Sequence, residues 1–331
     1  MSSSDHIIRK YKRRYNLLWL AEHFTSIKSL ENKRMNLSSK IASKILLNEN
    51  ERFSDVPAET NISVNEFHKK YFKNPQPVVF KGAAKKWPAF QKWTPDFFKE
   101  NYGDTKVILF DASVKALDSD QISETSTVDF KQFIEMMQSG SKEYVRFCPI
   151  LDKNPELLDD IDRDWFARYS NSKSKGLKHQ LFIGGKNTST SIHSAIGSNL
   201  FVQVHGRKEW FIYDCDYSSL VQPKVDNSVF FRSFVNVKQP DDIFKKAKGW
   251  RVVLEPGDIL YNPPFFWHEV HNLDTTVGFG YRWFSFNEIV KSSMTKFILT
   301  LTATNPSIRQ AKRLEENFAK VYDQVLSKSL K

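Results

Sequence analysis

Between residues 179 and 286 the sequence breaks into nine short apolar runs, at 180–183, 189–193, 200–205, 209–213, 229–234, 251–254, 259–261, 268–272 and 277–286. Gly, Pro and Asp turns separate them. Many short strands closed by turns fold as a sandwich or barrel, and the expected architecture is a mainly β jelly roll with flanking helices. The composition agrees. Its 27 Phe, 8 Trp and 11 Tyr make 14% aromatic residues, suited to a β-rich interior and an apolar pocket.

The flanks carry a different periodicity. Ile7, Ile8, Tyr11, Tyr15, Leu18 and Trp19 recur near helical spacing, as do Ile41, Ile45 and Leu46, so residues 1–53 read as a helical extension. From residue 54 short mixed elements follow: Ser63 caps a helix to Tyr71, residues 77–80 and 106–110 read as strands, and Thr94 starts a helix. Residues 128–137 read as helix, 144–148 as strand and 171–178 as a polar loop. After Asn287 the pattern returns to helix around 297–301 and again over 308–326, beyond a break at Pro306. The expected organisation is an extension at 1–53, a catalytic domain at 54–286 and C-terminal helices at 287–331 that could serve dimerisation.

The formal net charge is +11 over 331 residues. Residues 1–50 hold ten Lys or Arg against four Asp or Glu, over half of that excess. This segment is either a solvated face packed on the main domain or a docking surface for an acidic partner. Nucleic acid is a poor match, because the chain has no zinc-finger spacing, aromatic RNA-binding signature or long basic arm. Cys148 and Cys215 lie far apart, which suits two buried thiols in a reducing cytosol. No apolar stretch approaches the roughly 20 residues of a membrane span, and no secretory leader is evident, so a cytoplasmic protein without membrane contact is expected.

Eight histidines occur, two of them in suggestive surroundings. His193 lies in Thr188-Ser-Thr-Ser-Ile-His-Ser-Ala195. His268 lies in Gly257-Asp-Ile-Leu-Tyr-Asn-Pro-Pro-Phe-Phe-Trp-His268-Glu-Val-His-Asn-Leu273. Either alone would more often be a satisfied core histidine. The combined pattern resembles the cupin-like JmjC hydroxylases: Gly-Asp-x-Leu-Tyr-x-Pro, aromatics and His268 look like their distal metal strand. Thr190-x-x-His193, Asn199 and Gly206-Arg-Lys208 look like the other half of the site in the asparaginyl hydroxylase that acts on hypoxia-inducible factor. The resemblance runs over residues 63–286 and includes Pro-Val-Val-Phe-Lys-Gly at 77–82 and Trp87-Pro88.

That resemblance implies a double-stranded β-helix with a 2-His-1-carboxylate iron(II) site, open to 2-oxoglutarate and dioxygen. It makes His193 and His268 the metal ligands and pairs Lys208 with the distal carboxylate of 2-oxoglutarate. Thr190 and Asn199 would hydrogen-bond that carboxylate, and Tyr144 is a further pocket candidate. Arg282 and Trp283 are offered as pocket residues, His205 and His271 as core or supporting residues.

The departure is at position 195, where the family has Asp or Glu and this chain has alanine. An alanine methyl coordinates nothing. Three readings follow. In one, chloride or bromide binds iron in the vacant place and a substrate radical recaptures it, as in non-haem iron halogenases that have His-x-Ala or His-x-Gly. In another, the chain is a pseudoenzyme or 2-oxoglutarate-binding module. In the third, Glu269 or His271 completes the metal site and hydroxylation survives; strand alternation disfavours this, since Glu269 should point away from His268. Substrates open to the barrel mouth are a small molecule, a peptide residue or a carrier-tethered acyl group. An acidic carrier protein and a homodimer are the expected partners.

Overall fold

The computed structural model describes residues 3–111, 127–170, 178–233, 235–305 and 307–310. Its strands, in chain order, are β1 (Phe53–Asp55), β2 (Ala58–Glu59), β3 (Val78–Phe80), β4 (Lys106–Asp111), β5 (Thr127–Asp129), β6 (Glu143–Cys148), β7 (Lys178–Gly184) and β8 (Ser189–Ser194). They continue with β9 (Ser198–His205), β10 (Lys208–Tyr213), β11 (Phe231–Arg232), β12 (Gly249–Leu254), β13 (Ile259–Asn262), β14 (Trp267–Asn272) and β15 (Thr276–Trp283). One sheet has the order β1-β12-β10-β14-β8-β11, the other β2-β3-β13-β9-β15-β7-β6-β4-β5. From β7 to β10, and again from β12 to β15, the chain steps from one sheet to the other at each strand. That alternation is the jelly-roll, double-stranded β-helix topology. The inner faces meet where Phe201 of β9 packs on Trp210 of β10, ring centroids 5.1 Å apart.

Strand alternation assigns each residue a side. The outer face of the nine-stranded sheet presents Leu200, Val202, Tyr261, Phe279, Tyr281 and Trp283 to the helices of residues 64–169, building one apolar core. On the outer face of the six-stranded sheet pack α1 (Ser3–Thr25) and the helix Met294–Leu301, and α2 (Lys28–Ala42) packs on α1. Trp19 of α1 meets Phe231 of β11 edge to face at 5.8 Å, and a buried Arg34–Glu22 pair at 2.6 Å ties α2 to α1. The N-terminal segment therefore packs on the barrel through one face, while Lys10, Arg13 and Arg14 stay exposed.

Several elements differ from expectation. The run at 229–234 pairs only over Phe231–Arg232, because Ser228 turns back to donate its N–H to Asp226 Oδ1 at 3.1 Å; residue 234 lies outside the described residues. The last strand stops at Trp283, and Phe286–Ser292 is helix. Helical segments Ile150–Lys153, Pro155–Asp160 and Arg163–Tyr169 were not anticipated; four to seven residues give too few turns for a periodic signal. The polar loop at 171–178 and the helix at 308–326 fall largely outside the described residues. Cys148 and Cys215 are buried and are not joined in a disulfide. No helix among the described residues is long and apolar enough to cross a membrane.

Candidate active site

His193 on β8 and His268 on β14 are direct cross-strand partners in the six-stranded sheet, and their ring centroids lie 4.1 Å apart. Each ring is locked the same way. His193 Nδ1–H donates to Ser191 O at 2.8 Å, and His268 Nδ1–H donates to Phe266 O at 3.1 Å. Both tautomers are thereby set, which leaves each Nε2 lone pair for a metal. Burial brings His193 down to about 4, with Arg282 and Arg146 adding to the effect, and burial followed by the neighbouring His193 holds His268 well below its ordinary range. Both rings are neutral at pH 7, the state that coordinates metal.

Thr190 stands three residues before His193, which on a regular strand would put the two on opposite faces. A bulge corrects this. Thr190 pairs with Val270 and His193 with His268, so β8 spends three residues where β14 spends two. Thr190 thus joins the inner face with His193. On β10, Lys208 and Trp210 share that face, opposite Asn272 and Val270.

Lys208 is 1% exposed, and burial alone pushes its ammonium down to about 7. It donates to Tyr144 OH at 2.9 Å and lies over the Phe201 ring at 4.7 Å. Tyr144 reaches this position because Gly184 lies beneath it: a Cβ there would come 2.6 Å from the Tyr144 ring. Asn199 lies opposite Asn262 and Arg282 on the inner face of the second sheet, and Gly280 leaves room for its amide. Buried atoms of the inner faces without a hydrogen-bond partner among the described residues include Asn199 Oδ1, Gln180 Oε1 and Trp210 Nε1. Buried polar atoms are rarely left so without a ligand or water to meet them. A buried cation that meets no carboxylate among the described residues, beside unpartnered amides, fits the chemistry of a small dianion such as 2-oxoglutarate.

The metal end fits iron(II) as a two-nitrogen donor set. Ala195 supplies no side-chain ligand, and its carbonyl is taken by Phe265 N–H at 2.7 Å. Glu269 and His271 do not replace it. They point to the outer face, where Glu269 Oε1 bonds His271 Nε2 at 2.7 Å and Glu269 Oε2 accepts from Val237 N at 3.0 Å. The hydroxylase alternative built on those two residues is therefore ruled out by strand alternation. No group of three His, Cys, Asp or Glu side chains suited to a metal occurs among the described residues. Trp283 likewise turns outward, its indole donating to Glu288 Oε1 at 3.4 Å, whereas Arg282 faces inward. His205 sits at the end of β9, away from the pair.

Trp210, Asn262 and Gln180 were missed from the sequence. Trp210 stacks on His268 at 5.4 Å and lies two residues from Lys208, so period-two counting would have found it. Asn262 fills the variable position before Pro263 in the distal motif, with its side-chain amide 3.3 Å from His268 Nδ1.

The Cupin-like domain family matches residues 64–288. Among curated proteins, the chain is 24% identical over 235 residues to JmjC domain-containing protein D of Dictyostelium discoideum, covering 64% of this chain and 52% of that protein. It is 24% identical over 239 residues to lysine-specific demethylase 8 of Danio rerio, covering 69% and 58%. Against lysine-specific demethylase JMJ30 of Arabidopsis thaliana it is 26% identical over 237 residues, covering 69% and 54%. The chain spans about half the length of the curated relatives it matches.

Proposed function

This chain belongs to the cupin-like JmjC family, and from that premise we propose that it is an iron(II)- and 2-oxoglutarate-dependent enzyme acting on an unactivated C–H bond, with chloride or bromide filling the position its missing carboxylate leaves. The observation that carries this reading is the state of the metal end. Two neutral imidazoles present Nε2 atoms side by side, while Ala195 offers neither a side-chain donor nor a free backbone carbonyl. In this reading the remaining ligand comes from solution. Halide is the choice that uses the gap chemically.

In this reading His193 and His268 hold the metal, and the Ser191 and Phe266 carbonyls keep their rings oriented. The Lys208 ammonium neutralises the distal carboxylate of 2-oxoglutarate, while Tyr144, Thr190 and Asn199 fix its angle. Phe201, Phe182 and Trp210 exclude water from that end and strengthen the charge pairing. When bound with dioxygen, the iron and cosubstrate supply the oxidising power for hydrogen abstraction, with succinate and carbon dioxide as by-products. The exposed Lys10, Arg13 and Arg14 fit an acidic partner, such as a carrier protein presenting a tethered acyl substrate. The lysine-demethylase names of the relatives belong to those proteins.

A second reading keeps the pocket without chemistry. It is favoured by the two-ligand donor set, because two imidazoles hold iron less firmly than a facial triad. Anaerobic titration with iron(II) and 2-oxoglutarate separates them. Stoichiometric binding of both, lost in His268→Ala and Lys208→Met respectively, supports the enzyme; 2-oxoglutarate binding that needs no metal supports the module.

A further inference from the structure

Lys296, in the first turn of the helix Met294–Leu301, is 1% exposed and lies on the outer face of the six-stranded sheet, behind the histidine pair. Its ammonium donates to Ser194 Oγ at 2.9 Å and to Phe265 O at 2.7 Å, and it sits 3.7 Å from the centre of the Trp267 ring. Each partner adjoins the metal end. Ser194 follows His193, Trp267 precedes His268, and Phe265 precedes the residue whose carbonyl locks the His268 ring. Ser194 Oγ also donates to Phe265 O at 2.8 Å, closing a triangle, and Phe265 N–H donates to Ala195 O at 2.7 Å. Phe265 has φ 64, a left-handed conformation that a bulky residue adopts only when its surroundings impose it.

Burial and helix position both weigh against this lysine on stability grounds. A buried ammonium is costly, and the first turn of a helix, at the positive end of its dipole, is an unfavourable place for a cation. Its two oxygen partners already bond each other. What the ammonium adds is a link between β8 and the segment entering β14, at the level of the two histidines.

We propose that Lys296 is a positioning residue: it sets the separation of the two imidazoles and holds the Ala195 segment so that the space beside its methyl stays open. The inference rests on the metal-centre reading above and deepens it, bringing the C-terminal helix into the site's construction.

The test is Lys296→Met, which keeps a linear chain against Trp267 and removes the charge, with cobalt(II) as a spectroscopic probe metal. Cobalt affinity should fall about ten- to a hundredfold, the loss typical when groups that orient metal ligands are removed. The visible band of the complex should shift, and the metal-free thermal midpoint should not drop. A merely structural lysine would lower the midpoint and leave the band in place. Wild-type cobalt affinity and an unchanged band in the variant overturn the proposal. Should the variant fail to fold, Ser194→Ala removes another corner of the triangle and is read the same way. If the wild-type protein takes up no cobalt, the metal-centre reading fails separately, and the imidazole nitrogen resonances of the metal-free protein decide: movement of both in Lys296→Met supports the positioning role, and identical resonances refute it.

Discussion

The two faces of the six-stranded sheet treat charge in opposite ways, although the residues concerned are neighbours in sequence. On the outer face, Glu209 pairs with Arg251 at 2.6 Å and Glu269 with His271 at 2.7 Å, so each acid has its partner. On the inner face, one residue earlier in each strand, stand Lys208 and His268, and among the described residues no carboxylate is paired with either. A single step along the strand separates a satisfied surface from one that lacks anions. The difference teaches that one step along a strand decides whether a charged group meets a partner, and it is the ground on which we propose that small anions from solution complete the sites beside Lys208 and Ala195.

The strongest way to break that contrast is to remove an inner-face group. His268→Ala is expected to abolish cobalt or iron binding, with affinity down by at least about a hundredfold, since a lone imidazole is a weak anchor; near-normal affinity by calorimetry would mean the pair is not the metal centre. Lys208→Met should weaken 2-oxoglutarate binding on the order of a hundredfold, the scale of losing one partner of a buried charge pair. Unchanged affinity would place the cosubstrate elsewhere.

The inner-face contrast can also be sharpened by pH. Lys208 has its folded pKa lowered to about 7 from an ordinary 10.5. Between those values the unfolded chain binds the extra proton, so stability rises with pH there, and the burial penalty is fully present below about 7. The thermal advantage of Lys208→Met over wild type should therefore shrink from pH 7 to 9. Parallel curves would show that Lys208 titrates normally. A dianion bound at Lys208 should in turn draw a proton onto it above pH 7, visible as a buffer-dependent binding enthalpy. The smallest effect belongs to the outer face: Glu269→Gln should cost about 1–3 kcal/mol of stability through its buried bonds to His271 and Val237. It should leave metal affinity unchanged within twofold.

The sequence showed the inner face better than the means that hold it. His193, His268 and Lys208 were picked out by resemblance, and the structure sets all three on the inner face. Thr190 was legible by resemblance, yet its side of the sheet depends on the bulge after it, which no local residue announces. Glu269 could be placed outside by counting in twos, and Trp283 could have been. Lys296 could not be foreseen. It stands 102 residues from Ser194 in a short apolar helix, and only the packing of that helix against β8 and β14 brings the two together. Alternation is a local rule that can be read along a strand, whereas cross-links between distant segments depend on the whole fold.

The central claim is that the place of the missing carboxylate accepts an anion from solution. It is tested most directly by titrating chloride into the anaerobic iron(II)–2-oxoglutarate complex while following its visible absorption, in wild type and in Ala195→Asp. A saturable band shift in wild type that disappears in Ala195→Asp is the predicted result. A wild-type spectrum indifferent to chloride and bromide, or a shift that persists unchanged in Ala195→Asp, would contradict the account.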